Sequence, residues 1–306
     1  MKEKTSKNLR EKIRMNENIK KEVKKTYQDI KEMKVQGATD VALEAIKSLK
    51  HIESEEELNE SIQLLKKSRP TEPMMQNGLK YIKSSYKEGR DIKKSVEEFK
   101  QMINDSVKKI VETGSRYISP ETNIMTHCHS SLVEKIIIKA NEEGKINKVI
   151  ITETRPRYQG RITAKELAKE GINVELGVDS ARIELMKEVD LAIVGADLIT
   201  SDGYLFNKIG THELALSAHN MKGRNFLVAA QLLKIDPITL SGIRAEVEER
   251  STKEVWENPP KGVKIRNPAF DATPPRYINS MITEEGIIHP FNTIDNAEKK
   301  YPWIFE

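Results

Sequence analysis

One cysteine, Cys128, stands in 306 residues, which excludes an internal disulfide framework and a four-cysteine zinc site. Aromatic residues make up 5% of the chain, and no apolar run approaches the roughly 18 residues that a membrane span needs. No apolar stretch follows the opening Met1-Lys2-Glu3-Lys4-Thr5, so a secretory signal is not expected and the expected address is cytoplasmic. No Gly-x-Gly-x-x-Gly follows the first predicted strand, and there is no Walker loop. Nicotinamide and nucleoside-triphosphate chemistry are therefore not expected.

What the chain does have is charge and length. Its 306 residues exceed one small core and suit two domains. The net charge of +4 hides an asymmetry: residues 1–34 carry ten Lys and two Arg against six acids, and the remainder is slightly acidic. Leu9, Ile13, Ile19, Val23, Tyr27, Ile30 and Met33 recur near helical spacing, which reads as one apolar stripe on a helix with a solvated charged face. The lysines lack interleaved aromatics or a binding motif, so nucleic acid is not an expected partner. A break at Gly37-Ala38-Thr39 precedes a second amphipathic segment, and Ser54 with Glu57 has capping-box spacing at the start of a third. Arg69-Pro70 and Glu72-Pro73 interrupt the pattern, and a long helix is expected from about Asp91 to Glu112.

Near residue 117 the period changes. Short apolar runs at 123–126, 148–152, 172–176, 190–194 and 225–229 alternate with helix candidates at 131–142, 163–170, 181–188 and 208–222. Strand and helix in alternation predict a parallel sheet covered on both faces. The expected fold class is α/β, with a helical N-terminal domain over 1–116 and a Rossmann-like parallel-sheet domain over 117–306. The segment 267–275, with prolines at 268, 274 and 275, is expected to be an ordered loop.

Ligands of open parallel sheets bind beyond the carboxyl ends of the strands. There the sequence places Thr126-His127-Cys128-His129-Ser130-Ser131, then Glu153-Thr154-Arg155-Pro156, Asp179, Gly195-Ala196-Asp197, and Gln231 with Lys234. A thiol ahead of a helix and between two imidazoles is expected to lose its proton readily, which suits a base or nucleophile. A buried structural cysteine fits the position equally. Desolvation would raise the pKa of Asp197 and make it a general acid, with a helix cap or turn as the plainer role. Ser131 and Glu134 have capping-box spacing. His127 and His129 alternate about Cys128 and could share a metal with His212 or His219, but nothing in the spacing requires it. Asn207-Lys208-Ile209-Gly210-Thr211 is expected to open a helix, where a lysine and free N–H groups suit an anion, as they do at Gly37-Ala38-Thr39. Two anion sites with a thiol and a carboxylate suggest a phosphorylated small molecule.

The strings at 126–130, 152–160, 194–200, 207–211 and 267–275 resemble the superfamily that joins the α, β and δ subunits of initiation factor 2B, methylthioribose-1-phosphate isomerases and archaeal ribose-1,5-bisphosphate isomerases. Cys128, Asp197, Lys234 and Asn267-Pro268-Ala269-Phe270-Asp271 look most like the last group. The resemblance implies an aldose–ketose isomerase that converts ribose 1,5-bisphosphate to ribulose 1,5-bisphosphate in AMP salvage. It makes Cys128 the base at carbon 2 and Asp197 the acid at the ring oxygen. It assigns substrate contacts to Gln36, Gly37, Ala38, Thr39, Arg69, Ser130, Ser131, Leu132, Asn207, Lys208 and Lys234. No metal or organic cofactor is implied; AMP is implied as an activator, and a homo-oligomer built from dimers, a hexamer among the sizes, is expected. Two residues depart from the pattern: the family's Arg-Gly-Ala-Gly loop is Gln36-Gly37-Ala38-Thr39 here, and Ser131 stands where a lysine is common. Losing the guanidinium removes a charge-assisted contact worth about 1.5–3 kcal/mol. The alternatives are therefore an isomerase of another 1-phosphorylated sugar and a non-catalytic, initiation-factor-2B-like regulatory subunit.

Overall fold

The computed structural model describes residues 19–241 and 247–306. The chain divides into two compact units, Met1–Gln101 and Met102–Glu306. The basic N-terminal stripe falls partly outside the described residues. Its described part forms α1 (Lys21–Lys31), which buries Val23, Tyr27 and Ile30 and leaves its lysines to solvent. Three more helices follow in the first unit: α2 (Ala38–Lys47), α3 (Glu55–Lys66) and α4 (Pro73–Lys87). Ser54 caps α3 by accepting the Glu57 N–H at 3.2 Å, as its spacing predicts. Pro73 occupies the first turn of α4, where its missing N–H costs nothing. Helix α5 (Ile92–Tyr117) contributes residues to both units. The change of character near residue 117 is the end of this helix, and the division into units falls within it.

The second unit is built on strand–helix alternation. Its elements are β1 (Thr122–His127), α6 (Ser131–Glu142), β2 (Ile146–Thr152), α7 (Gln159–Lys169), β3 (Val174–Gly177), α8 (Arg182–Met186), β4 (Leu191–Val194), β5 (Leu198–Thr200), β6 (Leu205–Lys208), α9 (Thr211–Asn220) and β7 (Asn225–Ala229). After these come β8 (Ile235–Asp236), β9 (Phe270–Thr273), β10 (Ser280–Thr283), β11 (Gly286–Ile288) and α10 (Thr293–Lys300). Seven strands pair in the order β11-β10-β7-β4-β1-β2-β3. All of these pairs are parallel except β10 with β11. Ile124, Val149, Ile151, Ile193 and Leu227 from the sheet pack against Val133, Ile136 and Ile137 of α6, which explains the continuous apolar runs.

A second, four-stranded sheet, β8-β5-β6-β9, was not anticipated. It corrects two expectations. Asn207 and Lys208 end a strand instead of opening a helix, and the proline-rich segment contains β9, antiparallel to β6. The prolines flank β9 at 268, 274 and 275, so the four residues between them keep their N–H groups for pairing. No helix among the described residues is long and apolar enough to cross a membrane.

Candidate active site

β1 runs out at His127, and Cys128 follows in the left-handed region with φ 69°. That conformation is sterically costly for a residue with a Cβ. The Cys128 N–H donates to Thr154 Oγ1 at 3.0 Å, and the Cys128 carbonyl accepts from Thr163 Oγ1 at 3.1 Å. Ser130, and not Ser131, caps α6, its Oγ accepting the Val133 N–H at 3.4 Å. Glu134 closes no capping box; it meets His129 Nδ1 at 2.8 Å, and this bond raises the imidazole's pKa. Ser131 is exposed. Leu132 is 7% exposed and packs in the core, so its side chain faces away from any ligand and only its backbone remains to contact one.

The Cys128 thiol departs from expectation in the opposite direction. Burial pushes it up to about 12, and the Asp197 carboxylate adds to the push. The His129 N–H and the charges of Lys208 and Arg250 oppose it without prevailing. A helix start offers only partial charges against the cost of burying a thiolate, and both imidazoles are committed elsewhere. His127, 2% exposed, donates Nε2–H to the Ile209 carbonyl at 2.8 Å and accepts at Nδ1 from Thr152 Oγ1 at 2.8 Å. The tautomer follows because a carbonyl can only accept. Burial, and then the Arg182 charge, push its pKa down to about 4. With both nitrogens engaged, His127 has no lone pair for a metal. Among the described residues no group of three or more His, Cys, Asp or Glu is placed to hold one.

Asp197 lies between β4 and β5, half-buried, with its N–H donating to the Phe206 carbonyl at 3.0 Å. A Cβ at Gly195 would stand 2.6 Å from Ser130 Oγ. Glycine there lets the end of β4 close on the loop that carries Cys128. Lys234, in the turn after β7, is buried and donates to the Ala196 carbonyl at 2.6 Å. Lys208 is 4% exposed at the end of β6. Burial lowers its pKa, while Cys128, Arg250, Glu254 and Asp197 act on its charge. Asn207 Nδ2 donates to Thr211 Oγ1 at 3.0 Å.

The N–H groups expected to be free at the start of α9 are occupied. Gly210 and His212 donate to the Asp271 carboxylate at 2.7 and 3.1 Å. The anion at this helix terminus belongs to the chain itself. Arg250 is a site residue that no motif marked. Its N–H donates to the Asn267 carbonyl at 2.9 Å, and its guanidinium lies 5.5 Å from the Phe270 ring centroid. Cys128, Asp197, Lys208 and Arg250 thus share one electrostatic neighbourhood in the second unit.

A family model described as the initiation factor 2 subunit family matches residues 7–290. The chain belongs to that family. It is 41% identical to the ribose 1,5-bisphosphate isomerase of Methanocaldococcus jannaschii, over 92% of this chain and 96% of that protein. A crystal structure of translation initiation factor eIF-2B from Pyrococcus horikoshii OT3 superposes with a TM-score of 0.79 at 30% identity, covering 90% of this chain and 100% of that one. The 5-methylthioribose 1-phosphate isomerase from Pyrococcus horikoshii OT3 superposes with a TM-score of 0.74 at 29% identity, covering 92% of this chain and 88% of that one.

In this initiation factor 2 subunit family member the remaining expected contacts lie in the first unit. Gly37, with φ 84°, precedes α2, and Ala38 is buried at its start. Gln36 is exposed and donates Nε2–H to the Met33 carbonyl at 3.0 Å. Thr39 Oγ1 lies 3.9 Å from Met74 Sδ. Arg69 is 11% exposed, with Nη1 3.5 Å from Glu72 Oε2.

Proposed function

We propose that this chain is a sugar-phosphate isomerase that converts ribose 1,5-bisphosphate to ribulose 1,5-bisphosphate, with Cys128 as base and Asp197 as acid. The observation that carries the reading is 41% identity over most of the chain to a curated isomerase of that substrate, together with the position of Cys128, Asp197 and Lys208 at the ends of strands β1, β4 and β6.

The chemistry asks for these groups. A sugar phosphorylated at carbon 1 cannot open as a hemiacetal does, so an acid must protonate the ring oxygen as its bond to carbon 1 breaks. Asp197 gives that proton. The Cys128 thiolate takes the proton from carbon 2, and a carbon 1–carbon 2 enol results. Cys128 then returns its proton to carbon 1, the hydroxyl proton on oxygen 2 passes back to Asp197, and the ketone is left. Both groups end as they began. Lys208 and Arg250 stabilise the thiolate and the oxygen on which negative charge develops. Ser130, Ser131, the Leu132 backbone, Asn207, Lys208 and Lys234 are proposed substrate contacts in the second unit. Gln36, Gly37, Ala38, Thr39 and Arg69 are proposed phosphate contacts in the first.

The reaction is assigned to AMP salvage in the cytoplasm, with AMP as activator and a homo-oligomer built from dimers as the working form. A second reading is favoured by the 0.79 TM-score to a structure described as an initiation factor: a regulatory subunit that binds without turnover. Conversion of ribose 1,5-bisphosphate, followed by 31P NMR with and without AMP, separates the two. Turnover that collapses in Cys128→Ser is the expected result. Absence of turnover under both conditions, or full activity in Cys128→Ser, overturns the isomerase mechanism.

A further inference from the structure

We infer that Thr154 and Thr163 are positioning residues: together they clamp the peptide of Cys128 in its left-handed conformation and so aim the thiol. The inference rests on the reading of Cys128 as the base, and it concerns residues to which no substrate contact is assigned.

Cys128 is held from both sides of its backbone. Its N–H donates to Thr154 Oγ1 at 3.0 Å, and its carbonyl accepts from Thr163 Oγ1 at 3.1 Å. Both threonines are buried, at 0% and 1% exposure. Neither hydroxyl is there to solvate a surface. The Thr154 hydroxyl donates its own proton to the Thr152 carbonyl at 3.1 Å, which leaves a lone pair for the Cys128 N–H.

Thr154 is itself fixed by a second tier. It too lies in the left-handed region, with φ 61°, where a β-branched residue is rarely found. Its N–H and that of Arg155 donate to the two oxygens of Asp179 at 2.9 and 2.7 Å. Burial works against the Asp179 carboxylate, but these two N–H groups outweigh it and hold the pKa below the usual range. Arg182, 2% exposed, stands 3.6 Å from Asp179 Oδ1. The half-buried Asp179 carboxylate, beside the buried Arg182, thus anchors the threonine that anchors the cysteine. Strain of this kind persists only where its surroundings over-determine it. At Cys128 the strain places the sulfur, because rotation about φ carries Cβ and Sγ with it. A relaxed Cys128 would carry the sulfur away from the position in which burial holds its proton.

Cys128 is the only cysteine, so alkylation by iodoacetamide reports on it alone. Thr154→Val keeps the branched shape and removes the hydroxyl; Thr154→Ser keeps the hydroxyl. In Thr154→Val the thiol should move out of its desolvated position and titrate lower, so alkylation at pH 8.5 should rise by about tenfold or more. At the same time kcat for ribose 1,5-bisphosphate should fall by about 30- to 100-fold with little change in KM, the mark of a misaimed group. Thr154→Ser should restore both. A wild-type alkylation profile in Thr154→Val, or a Ser variant as impaired as the Val variant, overturns the clamp. If Thr154→Val fails to fold, Thr163→Val takes its place: faster alkylation with a lower kcat supports the clamp, and a wild-type profile overturns it. Alkylation needs no turnover: a shifted profile in an inactive protein sinks the isomerase and keeps the clamp, and an unshifted profile in an active one does the reverse.

Discussion

A thiol that is to take a proton from carbon must first lose its own, and Cys128 keeps its proton up to about pH 12. The proposed reaction starts from the thiolate, so Cys128 must give up that proton before it can act. Two substitutions test the electrostatics with opposite signs. Asp197→Asn removes a charge that raises the thiol, so alkylation of Cys128 near pH 8.5 should quicken by about tenfold while turnover is lost. Lys208→Met removes a charge that lowers it, so alkylation should slow by a similar factor. Equal responses in the two variants would contradict the shared neighbourhood. The residue types of this pair were legible because they stand at predicted strand ends. The direction of the thiol's shift was not, since desolvation depends on what the fold packs around Sγ, and no spacing encodes that. Arg250 was illegible for a similar reason: it reaches the site through pairing of its backbone with Asn267, far from any phosphate-binding pattern.

At the scale of elements, β1, β2, β3, β4 and β7 of the large sheet could be read and the strands of the four-stranded sheet could not. Runs such as 148–152 and 225–229 are apolar because both faces of the sheet are covered. β5, β6 and β9 hold three or four residues each and lie outside the strand–helix alternation that marks the large sheet, and Asn207-Lys208 before Gly210 imitates a helix start. The correction bears on stability, because β9 brings Asp271 onto the first turn of α9 while His127 ties β1 to the same loop at Ile209. Their titrations oppose each other. The folded His127 has a pKa of about 4, so as pH falls below the unfolded value near 6.5 the unfolded chain takes the proton first and stability is lost. Burial raises Asp271 to about 6; as pH falls through 6 the folded state takes that proton first and stability is gained. At pH 5 the first effect is about 2 kcal/mol against folding and the second is about 1–2 kcal/mol in favour. Relative to wild type, His127→Gln should therefore gain stability between pH 7 and pH 5, and Asp271→Asn should lose it. Urea unfolding at the two pH values measures this, and responses of the same sign would refute the assignment.

The whole molecule divides its proposed chemistry unequally between two units. Proton transfer is proposed for groups at strand ends of the second, and phosphate contacts are proposed in each. The family resemblance expects Arg-Gly-Ala-Gly ahead of α2, and this chain has Gln36-Gly37-Ala38-Thr39. The glycine needed for the positive φ is kept, so the backbone shape survives while the charge is gone. A neutral amide can still donate to a phosphate, but without the extra stabilisation of an ionic partner. The consequence is asymmetric: binding should weaken and the chemical step should not. Gln36→Arg should therefore lower KM for ribose 1,5-bisphosphate by about tenfold and leave kcat unchanged. The same change should do nothing for a substrate that lacks the phosphate this loop reads. Comparing ribose 1,5-bisphosphate with ribose 1-phosphate in both proteins makes the outcome decisive. A drop in KM for both sugars assigns the loop to the phosphate on carbon 1, and a drop for the bisphosphate alone assigns it to the phosphate on carbon 5. Unchanged KM for both removes Gln36 from the substrate. A wild-type enzyme that prefers the monophosphate would make the neutral loop a specificity device, turning a chain built like a bisphosphate isomerase toward a less highly charged sugar.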